Sequence, residues 1–321
     1  PRRSKVTSAS DLVTIEDNIP EQDSSDLEET TDQPTLVTLS TSGLLGRRSP
    51  NEEFTAKPGR HDVLARSLET SGFATVSALT DHGRALTVRA REIPEMVRGS
   101  RGASVTEMFS LSRGEKVVGL FGDGSDPIVL VTRQGTGKRL EADALKRLRS
   151  GSSAINLKGD DRVVSAFVAS EDSEIVMIAS DGQALRTAAA GVSLQGPGAG
   201  GVAGMKLKPG SNVMAAGIVE FGAAVVVISD EGAIKATDVA EIPSKGRATG
   251  GVRTVKWRDF ETTAAFGWVG RGQQLAAVVA DASDSKKATG APVPLSLELT
   301  RRDGMTSAGE DRILLIGEYR L

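Results

Sequence analysis

Arginine and lysine side chains set in glycine-rich loops are the residues of this chain best suited to chemistry, and the chemistry they suit is anion binding. The loops read KPGR (Lys57–Arg60), RGSRG (Arg98–Gly102), RLRSG (Arg147–Gly151), QGPGAGG (Gln195–Gly201) and KGRATGG (Lys245–Gly251). Glycine lets backbone N–H groups approach a phosphate oxygen closely, while Arg and Lys neutralise its charge. Four of the five loops are basic in the same phase, whereas unconstrained turns would scatter in sign. Bond-breaking chemistry finds far less support. The chain has no cysteine, which removes thiolate nucleophiles, disulfides and Cys-based metal sites. His61 and His82 are its only histidines, too few for a His-based metal site or triad. Carboxylates such as Asp160 and Asp161 stand isolated and do not recur beside a loop.

The elements that must position these loops repeat. Turn glycines fall at Gly43, Gly83, Gly135, Gly182 and Gly232, roughly 40–50 residues apart, the period of propeller-type blades. An apolar strand precedes each one: Leu36–Leu39, Val76–Leu79, Ile128–Val131, Ile175–Ala179 and Val225–Ile228. Three or four residues after the glycine a basic side chain follows: Arg47, Lys138 with Arg139, Arg186 and Lys235. The second copy departs, with Arg84 directly after the turn. The basic loop comes next, and then a third strand, expected over Val252–Trp257 in the fifth copy. Glu92-Ile93-Pro94 and Glu241-Ile242-Pro243 occupy the same phase in two copies. A sixth, degenerate copy starts at Leu275–Ala280 and closes with Arg312–Gly317, while Ser283–Thr289 breaks the pattern and reads as a loop. The expectation is an all-β propeller-like fold of six four-stranded blades, or five if the last copy does not count. One blade cannot bury both its faces, so blades stack around an axis and the recurring loops form a basic rim.

Charge divides the chain. The net charge is −3, yet residues 1–34 hold nine acids against three bases, leaving a weakly basic body. Residues 1–34 read as a largely disordered acidic linker and residues 35–321 as the folded domain. A sharper reading makes the acidic segment a competitor of a polyanion for that body. No apolar run is long enough to span a membrane and no signal peptide is visible, so a cytoplasmic location is expected. The first residue is Pro1, which suggests a piece of a longer chain. Aromatic content is only 3%, so Trp257 and Trp268 are expected to pack between blades rather than stack on bases.

These repeats resemble the carboxy-terminal β-pinwheel of the A subunit of bacterial type IIA topoisomerases, over about Thr35–Leu321. Arg91–Gly102, Gly135–Arg139 with Ala154–Leu157, and Gly232–Val252 carry the resemblance. It implies a non-catalytic module that binds and bends duplex DNA through phosphate contacts, in the nucleoid. Its protein partners would be the ATPase B subunit of the topoisomerase and the catalytic core of its own subunit. ATP and Mg²⁺ would serve the parent enzyme, and the fragment itself would carry no cofactor or metal. The family's DNA-cleaving tyrosine has no counterpart, since the sole tyrosine is Tyr319 at the extreme C-terminus. Gyrase members carry a Gln-Arg-Arg-Gly-Gly-Lys-Gly box in the first-blade loop; here Thr55–His61 reads TAKPGRH. That departure resembles topoisomerase IV more than gyrase, with a gyrase of degenerate box as the alternative. A propeller used for protein contacts is the rival from another class.

The DNA-binding residues expected from rim and resemblance together are Arg47, Arg48, Lys57, Arg60, Arg98, Arg101, Lys138, Arg139, Lys146, Arg147, Arg149, Arg186, Lys235, Lys245 and Arg247. Pro58 and Asp62 are expected to make the first loop a poor phosphate contact, one by removing a backbone donor and the other by its charge.

Overall fold

Each apolar run becomes the central strand of a blade because both of its faces are covered. In the fifth blade, Val225 and Val227 pack toward the fourth, while Ala224, Val226 and Ile228 pack toward the sixth. Side chains alternate along a strand, so a continuous β-branched run suits a strand buried on two sides. The computed structural model describes residues 32–51, 62–97, 102–271, 275–281, 284–288, 292–308 and 312–318. All but the first of these, Asp32, belong to one unit, Gln33–Leu321. The acidic linker expected over residues 1–34 lies almost wholly outside them.

The described residues form six blades. The first holds β1 (Pro34–Ser40), β2 (Leu44–Arg48) and β3 (Leu64–Ser71), and the second β4 (Thr75–Thr80), β5 (Ala85–Arg89), β6 (Ala103–Ser104) and β7 (Val117–Phe121). The third holds β8 (Ile128–Thr132), β9 (Thr136–Leu140) and β10 (Val163–Val168), and the fourth β11 (Glu174–Ala179), β12 (Gln183–Ala188), β13 (Val202–Ala203) and β14 (Val213–Ile218). The fifth holds β15 (Ala223–Ser229), β16 (Ile234–Asp238), β17 (Val252–Arg253) and β18 (Ala264–Arg271), and the sixth β19 (Leu275–Asp281), β20 (Asp284–Ala288), β21 (Val293–Pro294) and β22 (Ile313–Glu318). Gly43, Gly83, Gly135, Gly182 and Gly232 all take positive φ in the hairpin turns, between 75° and 84°.

The fourth strand of a blade comes from its neighbour. β6 pairs with β2 of the first blade, β13 with β9 of the third and β17 with β12 of the fourth. Between the second and third strands of a blade, the chain therefore crosses as a strap onto the preceding blade. This corrects the expected strand Val252–Trp257: the strand is only Val252–Arg253, and it pairs in the fourth blade. Ser283–Thr289 is also corrected, since Asp284–Ala288 form β20. The ring closes where Glu318 of β22 meets Leu64 of β3.

The core is a series of interfaces between successive blades. Trp257 packs between the fourth and fifth blades and Trp268 between the fifth and sixth, as expected. Among the described residues, the interface between sixth and first has the fewest buried apolar side chains, Val63, Ala276 and Val278.

A buried carboxylate anchors the outer turn of the second blade. Glu115 accepts from Arg84 Nε at 2.9 Å and Nη2 at 2.6 Å, and from the Ser112 N–H at 2.9 Å. Burial pushes its carboxyl up, but the Arg84 fork, Thr80 and Ser112 outweigh it and hold the pKa at about 2. The folded value lies below the unfolded one. This contact therefore stabilises the fold fully above about pH 4.5 and is lost as pH falls toward 2. Glu115→Gln should remove up to about 3 kcal/mol at neutral pH and flatten that acid limb. Urea unfolding between pH 2 and 7 reads it, and an unchanged acid limb would contradict it.

Candidate nucleic-acid interface

The strap decides which cations reach solvent. It runs parallel to the second strand of the preceding blade, with bridges Arg47–Glu95, Arg139–Leu194, Arg186–Ser244 and Ala236–Leu299. At each crossing the residue four after the turn glycine uses its backbone to hold the strap. The Arg139 carbonyl accepts from the Gln195 N–H at 2.9 Å and the Arg186 carbonyl from Lys245 N–H at 2.8 Å. The side chain at the same position then donates to strap carbonyls. Arg47 Nε reaches Ile93 O at 2.8 Å, Arg139 Nε reaches Val192 O at 2.7 Å, and Arg186 Nη1 reaches Val239 O at 3.3 Å. In the first, third, fourth and fifth blades the basic residue after the turn, read from sequence as a rim contact, is a staple for the next blade's strap.

Two lysines carry this furthest. Lys138 is fully buried, and its Nζ lies 2.8 Å from Ala154 O, 2.7 Å from Gly196 O, 3.0 Å from Pro197 O and 2.9 Å from Ala199 O. Burial lowers its pKa to about 8; the four carbonyl oxygens act against that by solvating the ammonium. The uncharged strap Gln195–Gly201 thus folds around a charge supplied by the third blade. Lys235, only 2% exposed, donates to Ala236 O, Thr237 Oγ1 and Thr300 O at 2.9–3.1 Å. Burial lowers its pKa, with Glu241 and Asp303 opposing.

Lys138, Lys235 and Arg139 are therefore corrected: their cationic groups are buried and engaged, because their strands turn them inward. Arg186 is half-buried and forked on Glu174, and Arg47 is half-buried with Glu95 at 3.5 Å. Arg48 ends β2, half-buried. Lys146 is half-buried, with Asp123 O at 3.0 Å and Asp143 at 3.5 Å. Lys57, Arg60, Arg98 and Arg101 lie outside the described residues. Asp62, expected to repel phosphate, instead caps the first hairpin, accepting from Thr41 Oγ1 at 3.0 Å and the Ser42 N–H at 2.8 Å.

The strap glycines also serve packing. A Cβ at Gly251 (φ +72°) would strike the Ala184 carbonyl, and one at Gly201 (φ +86°) would lie 2.8 Å from Gly137 O. Their role is close passage over the neighbouring hairpin.

What remains exposed lies at the blade seams. Arg147 and Arg149 are exposed on the strap crossing the second blade, where the Gly151 N–H donates to Ala85 O at 2.7 Å. The strap over the third blade carries no charge. Over the fourth, Lys245 and Arg247 are exposed, and Arg247 Nη1 donates to Ala203 O at 3.1 Å. Beside them Lys206 is exposed, its N–H bonded to Thr249 O at 3.0 Å. The next seam repeats the arrangement: the Lys256 N–H donates to Gly304 O at 2.8 Å, and Arg302 Nη1 to Arg253 O at 2.9 Å. Lys206, Lys256, Arg253 and Arg302 were missed from sequence. Their signal was the repeat Met205-Lys206-Leu207-Lys208 against Val255-Lys256-Trp257-Arg258.

Comparisons with known proteins agree with this geometry. The profile of the family described as DNA gyrase C-terminal domain, beta-propeller, matches residues 75–121, 126–170, 173–220 and 223–260, more than half of the chain and in step with the second to fifth blades. The DNA gyrase A subunit of Aminobacterium colombiense is 31% identical over 220 residues, 64% of this chain and 25% of that protein. The chain thus spans about a quarter of that relative's length. The C-terminal domain of a DNA topoisomerase IV superposes with a TM-score of 0.77 over 90% of this chain and 94% of its own, at 21% identity. A DNA gyrase A C-terminal domain superposes at 0.64 over 90% of this chain and 100% of its own, at 19% identity. Blade period, donated straps and profile match all lead to one family: the chain belongs to the DNA gyrase C-terminal β-propellers, the β-pinwheel of type IIA topoisomerase A subunits.

Proposed function

We propose that this domain binds duplex DNA along its blade seams through the phosphate backbone and bends it. The observation that carries the reading is the recurrence of Lys and Arg at equivalent positions of successive blades, exposed Lys206 against exposed Lys256 and exposed Arg247 against half-buried Arg302, while the inward cations hold the fold. Equivalent positions on successive blades present charge along a curved path, which suits a backbone-reading, bending protein. The neutral seam over the third blade interrupts that path, so the duplex bends over the blades flanking it without completing a tight wrap. Ligase closure of duplex fragments near the persistence length, about 150 bp, tests this. The chain should raise the circularisation rate, and an unchanged rate would contradict bending.

The parent, on this reading, is a type IIA topoisomerase, and the domain's partners are its ATPase B subunit together with its catalytic core. Among the described residues no group of three or more His, Cys, Asp or Glu could hold a metal. On this reading ATP and Mg²⁺ serve the parent enzyme elsewhere in the assembly. The sequence TAKPGRH at Thr55–His61 supports a parent of the topoisomerase IV type, working by decatenation and relaxation. The similarity to gyrase A subunits supports a second reading, a gyrase that wraps DNA without the box. The holoenzyme on a relaxed plasmid with ATP separates them. No negative supercoils are expected, and efficient supercoiling would select the gyrase reading.

A further inference from the structure

Among the described residues, the seam between the third and fourth blades exposes the aliphatic Leu194 (44%), whereas the one between the fifth and sixth exposes an aromatic side chain and a methionine. Phe260 is 62% exposed and Met305 50% exposed. In the outer turn, Trp257-Arg258-Asp259-Phe260-Glu261 corresponds to Leu207-Lys208-Pro209-Gly210-Ser211 of the fourth blade, so Phe260 stands where that blade has glycine. On the strap, the residue after the carbonyl that accepts from Lys206 is Gly250, whereas the residue after the one that accepts from Lys256 is Met305. Both replacements therefore fall on one seam.

The two side chains sit on a fixed support. Thr306 Oγ1 donates to Glu261, 2.7 Å from Oε2 and 3.0 Å from Oε1, and Arg258 Nη2 donates to Thr306 O at 2.9 Å. Glu261 is buried and also accepts from Ser229 Oγ at 3.1 Å. Strap and turn are thus tied together through Thr306 and Glu261, the residues that follow Met305 and Phe260 in the chain. Around them Lys256, Arg253 and Arg301 are exposed. Of the nearby acids, Asp303 lies 3.8 Å from Arg301, and Asp259 is exposed. An exposed aromatic set among cations does not fit an apolar protein groove, but it fits a polyanion with stacked apolar steps.

We propose that Phe260, with Met305 beside it, is a wedge that enters a base step of the bound duplex, partly unstacks it and sets the bend at this seam. Apolar wedges inserted between base steps kink duplexes in this way, most readily at flexible pyrimidine–purine steps. The wedge rests on the DNA-binding reading, and it makes a demand that backbone contact alone does not: one base step must open.

The test uses the whole chain and a duplex with 2-aminopurine placed at successive positions. Wild type should raise the fluorescence several-fold at one position. Phe260→Ala, at an exposed position that leaves the fold intact, should abolish that rise and reduce the bend seen by end-to-end energy transfer. Its affinity should change by about threefold or less, because the phosphate contacts persist. Phe260→Leu should keep part of the rise. Phe221, 99% exposed beside Glu220 in the turn before β15, is the control, and Phe221→Ala should change nothing. A full rise with Phe260→Ala would overturn the wedge, as would tight wild-type binding without a rise at any position. Both would leave DNA binding in place. Absence of duplex binding by wild type would instead overturn the DNA-binding reading, and the wedge with it.

Discussion

Lys138→Met should destabilise the domain by about 4 kcal/mol while leaving the DNA contacts of the folded protein unchanged. Methionine nearly matches lysine in volume, so the loss is the charge and its hydrogen bonds. Of the four carbonyls, Gly196 O keeps the Ala199 N–H at 3.1 Å and Ala199 O the Asn156 N–H at 3.2 Å, while Ala154 O and Pro197 O would lose the Lys138 donor and face an apolar side chain. Each buried acceptor left unpaired costs about 1–3 kcal/mol, and relaxation of the strap recovers part of the sum. Lys138→Arg should fail too, since a planar guanidinium cannot occupy a cage closed around one ammonium nitrogen. Urea unfolding reads the loss, and a change under about 1 kcal/mol would show that the cage does not hold the strap.

Replacing Lys206, Lys245, Arg247 and Lys256 together by alanine should do the reverse. All four are exposed, and neither Lys206 nor Lys256 has an ion pair among the described residues. Surface substitutions of this kind usually shift stability by about 0.5 kcal/mol or less each. Each phosphate contact removed should lower the salt slope by about 0.9 and, near 0.1 M salt, affinity by about eightfold. Four contacts compound to a loss on the order of a thousandfold, with no sequence preference. Affinity within about threefold of wild type at low salt would place the interface elsewhere.

The contrast between those two variants also explains what could be read from the sequence. Central strands and hairpin turns were legible because both signals are local: a β-branched run buried on two faces, and a glycine at positive φ. The donated strands were not, since Val252 and Arg253 look like the start of a third strand. Nothing local says that they pair with Ala184 and Gln183, some seventy residues back. The same gap misplaced the cations. Lys138 and Lys245 share a residue type and a glycine-rich context, and only the strap's path separates a caged ammonium from an exposed one. Alternation held a partial clue. Lys138 shares a strand face with Leu140, which packs in the core between the second and third blades. A lysine on the apolar face of a central hairpin points to an internal partner rather than to solvent.

The most direct test of this division of labour is the dependence of duplex affinity on salt for three proteins: wild type, the fourfold rim variant, and Lys138→Met held below its melting temperature. Log affinity against log salt should fall with the same slope for wild type and Lys138→Met. For the rim variant the slope should be shallower by about three to four units. A Lys138→Met slope reduced as much as that of the rim variant would contradict the account, because it would put the inward cations on the DNA.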